Sequence, residues 1–76
     1  MSPLSATCSA DDVIQELSRM RDLGYFVVEE AFAEARSFKG ADLCSLSVTS
    51  LAFLACERGH AAYKSRLTAQ KLGIIT

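Results

Sequence analysis

From Leu43 to Gly73 the chain has no proline, and its apolar residues recur at helical spacing. A stretch of about 30 residues would make a helix about 45 Å long, longer than the rest of so short a chain can cover. This segment therefore dictates the architecture, and its one irregularity is Gly59. A glycine inside a helix costs about 1 kcal/mol against alanine, so its presence needs a reason. Either the helix continues through Gly59 or it breaks there and a fourth helix follows. No Ser, Thr or Asp stands directly after Gly59 to cap a new helix, and His60 and Lys64 would place basic groups at its positive end. The continuous helix is the expectation.

Laid on a heptad, this helix carries two neighbouring lines. One is Val48, Ala52, Ala55, Gly59, Ala62, Arg66 and Ala69, small throughout from Ala52 to Ala62. The other is Leu46, Thr49, Phe53, Cys56, His60, Tyr63 and Leu67, and is mostly large. A small-residue line lets two helix backbones approach closely, and a glycine at the closest point then gains contact instead of losing stability. Gly59 is thus expected at a close helix–helix crossing. The crossing partner is the protein's own helices, a symmetric copy or another protein, and two-fold pairing is the commonest form of self-association.

The remainder reads as two shorter helices. Residues 1–8 look like a flexible tail, after which Ser9-Ala10-Asp11-Asp12 resembles a capping box with aspartate in the fourth place. Val13, Ile14, Leu17 and Met20 continue at helical spacing to Gly24, placing a first helix at about 10–23. Tyr25-Phe26-Val27-Val28 is β-prone, but nothing else in the chain reads as a partner strand. Acidic Glu29 and Glu30 followed by Arg36 and Lys39 fit a helix dipole, so a second helix is expected at about 26–39, closed by Gly40, with Asp42 capping the third. The expected fold is all-α, one helical domain over residues 9–76, with two short helices packed on one long C-terminal helix, or four helices if Gly59 breaks the chain.

Composition narrows the function. With 22% charged residues and a net charge of −1, the sequence is neither disordered nor a strongly basic nucleic-acid binder. The apolar run 43–56 is too short for a membrane span and holds several hydroxyl residues. The N-terminus has no basic and apolar regions of a signal peptide, and three cysteines (Cys8, Cys44, Cys56) suggest reduced thiols in a cytoplasm. Cys56 and His60 share a helix face as a metal pair would, but only Cys8 and Cys44 are of the type to complete a zinc site, and no Cys-x-x-Cys is present. No metal, no cofactor and no enzymatic activity are expected.

Charge divides the chain. Residues 1–42 hold eight acids and four bases, whereas residues 43–76 hold Glu57 against Arg58, Lys64, Arg66 and Lys71. Either the basic helix pairs with the acidic ones inside the fold, or it offers a cationic patch to an acidic surface. The expected function is a small regulatory protein of inhibitor, adaptor or chaperone type, acting by helix-mediated protein binding and forming a homodimer. Its candidate interface is Ala52, Ala55, Gly59 and Ala62, with Phe53, Tyr63 and Leu67. The alternative is a dimeric nucleic-acid-binding transcriptional regulator using Arg58, Lys64, Arg66 and Lys71.

Overall fold

A computed structural model describes residues 9–75. The expected N-terminal tail, with Cys8, lies outside the described residues. Among the described residues the chain forms four helices and no strand. They are α1 (Ala10–Asp22), α2 (Glu29–Ser37), α3 (Gly40–Ser45) and α4 (Val48–Lys71).

α1 forms where its caps dictate. Asp12 N–H donates to Ser9 Oγ at 3.3 Å, and Ser9 N–H donates to the Asp12 carboxylate at 2.9 Å, so a reciprocal box closes the first turn. At the other end Tyr25 N–H donates to Met20 O at 3.0 Å and Gly24 N–H to Arg21 O at 3.0 Å. This is a Schellman termination, and it sets Gly24 at φ +101°, a conformation in which a Cβ would be strained. α4 ends the same way on Gly73, with Ile74 N–H bonded to Ala69 O at 2.9 Å.

Two boundaries differ from the sequence expectation. Residues 25–28 are neither helix nor strand: Val28 is extended at φ −84°, ψ 158°, and α2 begins only at Glu29. Having turned at Gly24, the chain crosses to α2 through its β-branched and aromatic residues, which lose the most side-chain freedom in a helix. α2 also stops early, at Ser37, because Phe38 turns extended and buries its ring. Gly40 therefore opens α3 instead of closing α2, and Asp42 is not a cap residue but accepts a hydrogen bond from the Lys39 N–H at 3.3 Å.

The long segment does break, but not at Gly59. Leu46 is extended at φ −133°, ψ 156°, and α4 restarts at Ser47, whose hydroxyl accepts from Ser50 N–H at 3.2 Å. Hydroxyl side chains bonded to nearby backbone compete with helix propagation, and this run is dense in them. Ser45 Oγ donates to Asp42 O at 3.2 Å in the same stretch. α4 is left with 24 residues, about 36 Å, and runs unbroken through Gly59.

One hydrophobic cluster holds the helices together. α1 contributes Val13, Leu17 and Met20, and α2 contributes Ala31, Phe32 and Ala35. Leu51, Ala52 and Ala55 enter from α4, and Leu43 from α3. The most extensive packing joins α2 to α4, while α1 lies against both. Large side chains come mainly from α1 and small ones from α4, so α4 sits close beneath the other two.

Candidate protein-binding face

The small line of α4 turns inward. Ala52 and Ala55 are fully buried and Gly59 is buried beside them. A Cβ placed on Gly59 would lie 2.4 Å from Ala31 N, 2.6 Å from Ala31 Cα and 2.9 Å from Glu30 C. All three are backbone atoms in the first turn of α2, which cannot swing aside as a side chain does. Gly59 thus marks a close approach of two backbones within one protomer. Ala62, the next small residue on the line, is exposed, because α2 begins at Glu29 and does not extend over it.

Two ion pairs flank this crossing. Arg58 Nη1 lies 2.8 Å from Glu34 Oε2, and Arg66 Nη2 lies 2.5 Å from Glu30 Oε2. The order rises along α4 and falls along α2, so the two helices run antiparallel. The Arg58 guanidinium also stands 5.5 Å above the Phe38 ring. Half of the basic set foreseen for α4 is therefore engaged inside the fold. Lys64 and Lys71 are exposed, with no carboxylate in ion-pair range among the described residues.

The large line of α4 faces outward and meets the extended segment after α1. Tyr25 packs edge-on against Phe53, with ring centroids 6.2 Å apart. Phe26 packs edge-on against His60 at 6.1 Å and against Tyr63 at 6.4 Å. Edge-to-face contacts of this kind fix ring orientation while leaving ring faces open. Phe26 remains 70% exposed, Tyr25 54%, Phe53 45% and Leu67 38%. A shallow depression of about 310 Å³ lies alongside, lined by Phe26, Val28, Tyr63 and the Glu29, Glu30 and Arg66 stems. Of the residues foreseen as an interface, the structure places Ala52, Ala55 and Gly59 in the interior, and Phe53, Tyr63 and Leu67 on this outer face. Tyr25 and Phe26 join them. Reading residue 26 as helical hid them, although four β-prone residues directly after a glycine stop signal were the cue for an extended crossing.

Cys56 is half-buried, with its thiol 4.0 Å from the Phe26 carbonyl oxygen, and burial pushes its pKa up. His60 is held by Phe26, and Cys44 is exposed on α3. Among the described residues no group of three or more His, Cys, Asp or Glu side chains is placed to hold a metal ion. No described helix is long and apolar enough to cross a membrane. The chain matches no protein-family model, no curated protein and no solved structure.

Proposed function

We propose that this chain is a small non-enzymatic regulatory protein that acts by docking on another protein through the aromatic face of α4. One observation carries the reading: Tyr25 and Phe26 are oriented by Phe53, His60 and Tyr63, yet stay more than half exposed. Burying such a side chain yields about 1.5–3 kcal/mol, and clustered exposed aromatics mark contact surfaces, where they act as anchors. Phe53, Tyr63 and Leu67 follow one another along a helix face, the arrangement that fits a groove or a second helix. The free thiols of Cys44 and Cys56 support a reducing, cytoplasmic setting. The nucleic-acid reading ranks second, because Arg58 and Arg66 are committed to Glu34 and Glu30.

Capture from the native host with the wild type, Phe26→Ser and Lys39→Ala tests this reading. A protein held by the wild type and Lys39→Ala but lost by Phe26→Ser is the expected result. A protein held equally by all three, or none held at all, contradicts it. Retention of duplex DNA that falls steeply with salt would favour the second reading.

A further inference from the structure

We infer that the occupant of this face is a second copy of the chain, its α4 antiparallel to the first about a two-fold axis at His60. The inference rests on the reading of the face as a docking surface and adds the identity of one partner.

Phe53 and Leu67 are placed symmetrically about His60. Phe53 lies seven residues before it and Leu67 seven after, about 10.5 Å to either side along the helix. Steps of seven keep these residues on one face, with a drift of only about 20° per step. Antiparallel pairing centred on His60 sets Phe53 of each copy against Leu67 of the other, so that each half-exposed apolar group is covered.

Charge selects the same partner and direction. Glu57 is the only acid in α4, and Lys64 lies seven residues after it on the same flank. Both are exposed, and neither has an ion pair among the described residues, whereas Arg58 and Arg66 are matched within the protomer. In the antiparallel arrangement Glu57 of each copy lies within one residue, about 1.5 Å along the helix, of level with Lys64 of the other, giving two equivalent cross-pairs. A parallel arrangement would instead carry the Glu57–Lys64 flank of each copy to opposite sides of the seam and form no such pair. A two-fold interface requires that residue i meet j while j meets i, and Phe53 with Leu67 and Glu57 with Lys64 satisfy that condition to within one residue of register. A foreign target that uses the face must then displace the second copy.

The test is a charge exchange read by light scattering on the reduced protein across concentration. The wild type should be a dimer. Glu57→Lys and Lys64→Glu should each weaken self-association at least about tenfold, because each turns two attractions into two repulsions. An equimolar mixture of the two variants should form a heterodimer, since every cross-pair is then opposite in sign, and the double variant should dimerise again. Both sites are exposed, and circular dichroism checks that each variant keeps its helices; Glu57→Gln and Lys64→Gln, which remove charge without reversal, give a milder series in the same direction. A monomeric wild type, a dimer indifferent to these changes, or singles that fail to recover on mixing would overturn the inference. A monomeric wild type that still captures a host protein through Phe26 removes the second copy while leaving the docking reading intact.

Discussion

Arg58 and Glu34 meet at 2.8 Å between α4 and α2, one residue from the glycine at which the two backbones touch. Together with Arg66–Glu30, the pair reports the antiparallel arrangement and the loss of half the basic set to internal use. Both side chains are partly exposed, so the contribution to stability is small. Arg58→Glu should cost up to about 1 kcal/mol and Glu34→Arg a similar amount, with the double exchange recovering part of the loss. A double-mutant cycle by urea denaturation checks this, and the coupling should shrink in high salt.

Ser9 supplies the first capping group of α1. Ser9→Ala removes the acceptor of the Asp12 N–H and should lower stability by about 1 kcal/mol, read from the urea midpoint. No change would place the start of α1 elsewhere.

Cys44 and Cys56 should differ in alkylation. Cys56 is half-buried and its pKa is raised, so at a given pH it holds less thiolate, the reactive form. Cys44 is exposed. Brief iodoacetamide treatment of the folded protein near pH 8, followed by peptide mass analysis, should label Cys44 well before Cys56, and the difference should vanish in denaturant.

Phe26 and Phe32 provide a contrast between surface and core. Phe26 is 70% exposed and Phe32 9%. Phe26→Ser should shift stability by no more than about 1 kcal/mol, while Phe32→Ala should cost about 3–5 kcal/mol. Thermal melts of both variants check the assignment.

How legible this fold was depends on whether a residue's role is local. The box at Ser9 and Asp12 and the stops at Gly24 and Gly73 are settled within one turn of chain, and each could be read directly. The inward turn of Ala52, Ala55 and Gly59 was legible as a close crossing, but not its partner, because the same small line would suit α2, a second copy or another protein. The pairing of Arg58 with Glu34 was likewise visible only as a charge imbalance between the two halves. The break at Leu46–Ser47 was obscured by the apolar run around it, although Ser45, Ser47, Thr49 and Ser50 signalled backbone competition. Phe26 was misplaced because dipole-compatible charges favoured a start for α2 at residue 26, while the chain stays extended from the turn at Gly24 to Val28.

The inward placement of the small line is what leaves the aromatic line outside, so the contact of Gly59 with Ala31 tests the arrangement most directly. The measurement is urea denaturation of Gly59→Ala beside Gly40→Ala, a position where an added Cβ meets nothing within 4 Å. In an open helix Gly→Ala stabilises by about 1 kcal/mol. At Gly59 the added methyl must displace α2 backbone, and the expected result is a net loss of about 1–3 kcal/mol with an unchanged denaturant slope, while Gly40→Ala stays neutral or gains. A Gly59→Ala variant as stable as the wild type, or more stable, would contradict the crossing and with it the assignment of the outer face.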